Sequence, residues 1–277
     1  MVIRVDKDFN MIRDAVVSGQ FYPSSASELK KTIERFGEKS ASKKHAYAII
    51  IPHAGYVYSG KVAASTIDKL LPKKRIIILG PNHTGYGENF GLFAKGAWNT
   101  PFGDIAIDED LAARIINKGS LIVEDVLCHK FEHSIEVELP FLYYYFKEFK
   151  FIPIVCQVAD FATYKEAAAQ IVAAIKDIKE EVMIVASSDM THYEPDPAAR
   201  KKDRLALEHI TNLDAEGLTK TVRKENITMC GIAPVAIALL VTKEIGATKA
   251  SVSLYQTSAD SGGPASSVVG YAGVIIS

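Results

Sequence analysis

Three of the seven histidines stand just past a run of apolar, mostly β-branched residues. Ile49-Ile50-Ile51 leads into Pro52-His53-Ala54-Gly55-Tyr56. Ile76-Ile77-Ile78-Leu79 leads into Gly80-Pro81-Asn82-His83. Met183-Ile184-Val185-Ala186 leads into Ser187-Ser188-Asp189-Met190-Thr191-His192. A lone histidine in such a place is commonly a surface or packing residue. Three arranged alike, one with an aspartate nearby, predict a site. Imidazole is the commonest protein ligand for metals, and a metal site draws three or four donors from separated segments. The three imidazoles, His53, His83 and His192, are therefore candidate donors, with Asp189, a glutamate or a thiolate as the remaining one.

Among the three cysteines, Cys230 carries the most interest. It lies in Met229-Cys230-Gly231-Ile232-Ala233-Pro234, a turn between two predicted helices. Gly231 admits close backbone approach to the sulfur, and Pro234 suits the first turn of a helix. The alternative is a small buried hydrophobe, the usual fate of a free cysteine. Cys156 falls within an apolar run and reads as core. His129 and His133 have the i, i+4 spacing of some zinc sites, but no second cysteine pair supports them. His133 reads instead as a substrate contact, a group behind the ligands, or a residue of a helix start. His45 and His209 sit among charged residues and read as surface. The string Asp260-Ser261-Gly262-Gly263-Pro264 resembles the nucleophile segment of trypsin-like proteases. Its setting is wrong for an all-β, disulfide-bonded enzyme, so it reads as a Gly/Ser loop.

These residues need elements to hold them. Apolar runs at 46–51, 75–79, 151–155 and 181–186 read as buried strands, with shorter strands at 91–94, 251–257 and 268–276. Helices are predicted at 59–71, 108–118, 134–146, 164–178, 197–210, 215–224 and 233–245. Another follows Ser25, where Ser25 and Glu28 have capping-box spacing. Strands alternating with helices predict a largely parallel sheet covered on both faces. The fold class is α/β, a single three-layer α/β/α domain over residues 1–277. In such sheets ligands bind beyond the carboxyl ends of the strands, where the three histidine turns fall.

Composition bounds the rest. The 277 residues are 48% hydrophobic and 23% charged, with a formal net charge of -1. That balance excludes a disordered chain and gives no electrostatic footprint for nucleic acid or an anionic membrane. Three cysteines exclude a disulfide framework and predict a reducing, cytoplasmic setting. No apolar stretch approaches the roughly 20 residues of a membrane span. The oligomeric state is not readable.

Five strings occur together and in order: Pro52-His53-Ala54-Gly55-Tyr56, Gly80-Pro81-Asn82-His83, Glu132-His133-Ser134-Ile135-Glu136, Ser187-Ser188-Asp189 with His192, and Cys230-Gly231. With Gly19-Gln20-Phe21-Tyr22-Pro23 near the N-terminus, the chain resembles the Memo family from about residue 11 to its end. The resemblance implies a fold similar to the class III non-heme-iron extradiol dioxygenases. It implies a metal site at His53, His83 and Cys230, with Asp189 and His192 beside it. A cysteine then stands where those dioxygenases have a carboxylate. A thiolate is softer and shifts preference toward Cu(I) or Zn, and it is itself oxidisable. Fe(II) or Cu(I) is the favoured cofactor, with Zn as the third choice. The expected activity is metal-dependent and redox, oxygenase-like, on an unknown small molecule. His192 would be the general acid or base, oriented by Asp189, and His133 would contact substrate. The alternatives are a non-catalytic metal-binding or peptide-binding scaffold, with a protein or peptide partner, and a zinc-type hydrolase.

Overall fold

Long β-branched side chains without polar alternation can only be satisfied by burial on both faces of a sheet. The structure, a computed structural model, describes residues 2–5, 11–37 and 40–277. In chain order the elements are β1 (Ile3–Val5), β2 (Met11–Arg13), α1 (Ala26–Phe36), β3 (Ala48–Ile51), α2 (Tyr56–Ile67), β4 (Arg75–Pro81) and β5 (Phe90–Leu92). Next come β6 (Ala97–Thr100), β7 (Gly103–Ala106), α3 (Glu109–Ile116), β8 (Val123–Glu124), α4 (Leu139–Phe146), β9 (Lys150–Cys156) and α5 (Phe161–Ile175). The chain continues with β10 (Val182–Ser187), β11 (His192–Glu194), α6 (Asp196–Thr211), α7 (Ala215–Lys224), α8 (Ile232–Glu244), β12 (Ala250–Thr257) and β13 (Val268–Ile276).

The main sheet runs in the order β11-β13-β3-β10-β4-β9-β5-β8, with β12 paired to β13. The centre, β3, β10, β4 and β9, is parallel as the apolar runs predict. Its flanks bring in antiparallel partners: β13 lies antiparallel to β3, and β5 antiparallel to β9. In the register of β10, Ser187 lies beside Ile51 and Ala186 beside Leu79. The turns that follow β3, β4 and β10 therefore open on one rim.

Helices cover the sheet in two layers. α8 packs across β10, β4 and β3, with α5 against it and α3 against α5. It is apolar all round, and residues such as Val235, Ile237 and Leu239 are fully buried. Each such side chain stabilises the fold by about 1.5–3 kcal/mol relative to exposure. α2 packs on β3, β13 and β12, with α1 and α4 against it. No helix among the described residues is long and apolar enough to cross a membrane.

The departures from the predicted elements have local causes. Ser25 does stand at the N-cap of α1, but its side chain makes no capping bond and its Oγ meets Ser27 Oγ at 3.0 Å. α1 is held by Leu29 and Ile33, one turn apart and buried, rather than by a capping box. Asp108 does cap α3, accepting from the Leu111 N–H at 3.2 Å. The helix predicted from residue 134 starts as a 3-10 turn at Glu136–Glu138, and α-helix begins only at Leu139. Pro140 thus sits in the first turn, where its missing N–H costs nothing. The four-stranded sheet β1-β2-β6-β7 has no counterpart in the sequence reading. Its strands are three or four residues long, too short to show a period.

Candidate metal centre

The three turns meet as their register requires. The ring centroids of His53 and His83 are 5.2 Å apart, His53 and His133 5.7 Å, and His83 and His133 4.8 Å. Each of these imidazoles offers a nitrogen within 4.8 Å of the others. Cys230 Sγ lies 3.4 Å from His53 Nε2, at the edge of the cluster. The structure brings the two predicted histidine ligands together with the predicted thiol. It also sets His133 among them at ligand distance, where the sequence reading gave it a contact with substrate or a place behind the ligands.

Two of the rings are held from behind. His53 is buried, and its Nδ1 meets Ser187 Oγ at 2.7 Å. Burial, and then the nearby His83 and His133, press its pKa well below the usual histidine value, so the ring is neutral. His83 Nδ1 lies 2.9 Å from Glu132 Oε1, and the His83 N–H donates to Glu132 Oε2. Burial works against protonation of His83, but the Glu132 carboxylate outweighs it and the pKa is raised. Glu132 is itself buried. Burial opposes its charge, yet the bond from His83 and the charges of both histidines pull its pKa down to about 2. Its Oε1 also accepts from the N–H groups of His133 and Ser134. One carboxylate thus holds the His83 ring and the His133 backbone. A metal-binding imidazole usually has such a partner on its other nitrogen.

Asp189 and His192 depart from the expected pairing. Among the described hydrogen bonds none joins them. Asp189 Oδ1 accepts from the His53 N–H at 3.0 Å. Burial raises the Asp189 pKa to about 6, with His192 opposing. His192 is held by Thr228: its N–H donates to Thr228 Oγ1 at 2.7 Å, and Nδ1 donates to the Thr228 carbonyl at 2.8 Å. A carbonyl can only accept, so the proton sits on Nδ1 and Nε2 is free for exchange. Tyr193 follows with a left-handed φ of 60°, and its ring stands 78% exposed at the rim. Phe21, Tyr58, Tyr193 and Tyr271 wall a cavity of ≈ 570 Å³ over the histidines. That volume suits a small organic molecule.

Cys230 owes its position to Gly231. A Cβ at residue 231 would overlap the Ser188 side chain and the Ser187 carbonyl. The Cys230 sulfur accepts from the Asp189 N–H at 3.3 Å. Burial, with the charge of Asp189, holds the thiol protonated. Gly231→Ala should destabilise the fold by about 1–3 kcal/mol. Urea unfolding would read this as a lower midpoint at unchanged slope; an unchanged midpoint would contradict the tight approach.

The remaining histidines lie elsewhere. His129 is buried, bonds the Gly91 carbonyl through Nε2 at 3.1 Å and sits edge-on to Trp98. Burial drives its pKa down to about 3. The i, i+4 spacing to His133 therefore builds no ligand pair. His45 is exposed, and His209 is held by Asp214 and Thr221. Cys156 is core as read. The Asp260 segment begins in a 3-10 turn, Ser258–Ser261, rather than wholly in a loop: Thr257 is its N-cap, Asp260 accepts from the Thr257 N–H at 2.8 Å, and Asp260 pairs with Arg200 at 2.7 Å. Sequence reasoning missed Glu132, Ser187 and Thr228 as the groups that seat the rings.

A family model described as Memo-like protein matches residues 13–275. A MEMO1 family protein of Methanopyrus kandleri is 38% identical over 279 residues, covering 96% of this chain and 99% of its own. One from Aquifex aeolicus is 38% identical over 266 residues, with 95% and 98% covered. Among solved structures, an uncharacterized protein from Escherichia coli K12 aligns with a TM-score of 0.53 at 14% identity. It covers 82% of this chain and 98% of that one, a likeness of fold alone.

Proposed function

The chain belongs to the Memo family, and from that premise we propose that it is a metal-dependent redox protein acting on a small organic molecule. The observation that carries the reading is the cluster of three imidazoles within 4.8 Å, with the His53 and His83 rings each hydrogen-bonded on the far side. His53, His83 and Cys230 are the proposed ligands, with His133 as a fourth donor. The donor set fits a transition metal: neutral or easily neutralised nitrogens, one thiol, and buried carboxylates behind them. A bound Fe(II) or Cu(I) would supply one-electron chemistry there. The fold relation to extradiol dioxygenases and a cytoplasmic location belong to the same proposal.

The chain's own residues do the rest. Phe21, Tyr58 and Tyr271 line the cavity and would offer aromatic surface to a planar substrate. His192, its Nδ1 proton committed to Thr228, takes a substrate proton at Nε2. Asp189 stays beneath, holding the His53 backbone and the Cys230 sulfur through its own N–H. Metal analysis of anaerobically reconstituted protein tests this. The expected result is close to one equivalent of Fe or Cu. Less than a tenth of an equivalent would overturn it.

The three-histidine geometry also favours a second reading, zinc hydrolysis, because three imidazoles leave a fourth position for water. Ester or amide hydrolysis that survives removal of oxygen would select it over the first. Cys230→Asp separates the ligand claims. A carboxylate in place of the thiol should weaken Cu(I) and strengthen Fe(II) relative to the parent. Competition with a chromogenic chelator measures both, and an unchanged ratio would remove Cys230 from the ligand set.

A further inference from the structure

Ser187 Oγ lies at hydrogen-bonding distance from three groups: His53 Nδ1 at 2.7 Å, the Ser134 carbonyl at 2.8 Å and Glu138 Oε1 at 2.9 Å. A hydroxyl has one proton to give and two lone pairs to fill. The Ser134 carbonyl can only accept, so the hydroxyl proton goes there. Any other choice leaves two oxygens facing each other without a hydrogen. Both remaining partners must then donate. His53 donates from Nδ1, and Glu138 donates as a carboxylic acid. Glu138 is fully buried, and its Oε2 has no hydrogen-bond partner among the described residues. An orphaned neutral carbonyl oxygen is tolerable there, whereas an orphaned carboxylate is not. Burial, reinforced by the charge of Asp189, raises the Glu138 pKa in the same sense. The far side of the ring agrees. Cys230 Sγ sits 3.4 Å from His53 Nε2, a contact that a ring nitrogen without a hydrogen can make as acceptor.

We propose that Ser187 and Glu138 are positioning residues: Ser187, its second lone pair filled by the Glu138 acid, holds His53 as the Nδ1–H tautomer and so presents Nε2 to a cation. The inference rests on the reading of His53 as a ligand, but its first measurement needs no metal. Ring-nitrogen NMR of the chelator-treated full chain, with His53 assigned through its own variant, reads the tautomer directly. The parent should show His53 as Nδ1–H. Glu138→Gln keeps a neutral donor toward Ser187, so it should keep that tautomer and a Zn²⁺ dissociation constant within about twofold. Ser187→Ala removes the acceptor, and the ring should turn to Nε2–H facing Cys230. Its Zn²⁺ affinity should fall about tenfold or more, the usual effect of losing such a partner. An Nε2–H ring in the parent, or an unchanged ring in Ser187→Ala, would overturn the assignment. So would Glu138→Gln behaving like Ser187→Ala, which would make Glu138 a carboxylate taking the hydroxyl proton. An Nδ1–H parent that binds no Zn²⁺ would instead sustain this inference and overturn the metal reading.

Discussion

His53→Ala should bind Zn²⁺, or Fe²⁺ without oxygen, about 100-fold more weakly than the parent. Thiolate and imidazole sites in small zinc proteins hold the ion with about 10–16 kcal/mol, so one donor in four carries roughly 3 kcal/mol. By the affinity scale of about 1.4 kcal/mol per decade, that is about 100-fold. His53 is the right donor to remove because it joins every part of the cluster. It faces both other rings, meets Cys230 on one edge and Ser187 on the other, and takes Asp189 on its backbone. The alanine also leaves Ser187 short of a donor in a buried place, at a cost of about 1–3 kcal/mol to the fold. Melting curves recorded beside the binding isotherms separate the two effects. His45→Ala, at an exposed ring, is the control and should leave affinity unchanged. Parent-like affinity in His53→Ala would remove the metal centre from this rim.

The parallel centre of the sheet was legible because buried strands leave a plain mark, continuous apolar and largely β-branched residues without polar alternation. The rim histidines were legible for the same reason: each stands shortly past such a run. His133 was harder. It follows no strand and arrives through a 3-10 turn whose path is set by tertiary contacts. Gly80 allows that approach, since a Cβ there would stand 2.6 Å from both Ile135 and Ser134. Spacing along the chain holds no record of a contact between residues 80 and 134. The pairing of His192 with Asp189 failed for a related reason. Nearness in sequence suggested a couple, but β11 carries His192 outward to Thr228, on the segment after α7. The ring holders Glu132 and Ser187 are polar residues that a hydropathy pattern treats as loop. Only the filled hydrogen-bond positions around them reveal why they are buried.

Arg13→Met should destabilise the protein by about 3 kcal/mol, and the reason lies in how the small sheet meets the site. Arg13 ends β2 with its guanidinium fully buried. Nη1 donates to Glu136 Oε2 at 2.8 Å, Nε to the His129 carbonyl at 2.7 Å and Nη2 to the Glu132 carbonyl at 2.5 Å. Its plane also lies 4.1 Å from the Trp98 ring centre. Removing one member of a buried ion pair costs about 3–5 kcal/mol, mostly from the charge left behind. Glu136 keeps the N–H groups of Val16 and Val17 and the Tyr22 hydroxyl, so the lower end of that range applies. Arg13→Lys should recover only part of the loss. A lysine restores the charge but cannot reach three acceptors with the geometry of a planar fork. The two carbonyls it abandons flank Glu132 and His133, so cation affinity should also drop in Arg13→Lys under conditions where the protein stays folded. Urea midpoints give the stability term and Zn²⁺ titration the affinity term. A lysine variant equal to the parent in both would mean that charge alone holds this junction, and that the ring holders do not depend on β2.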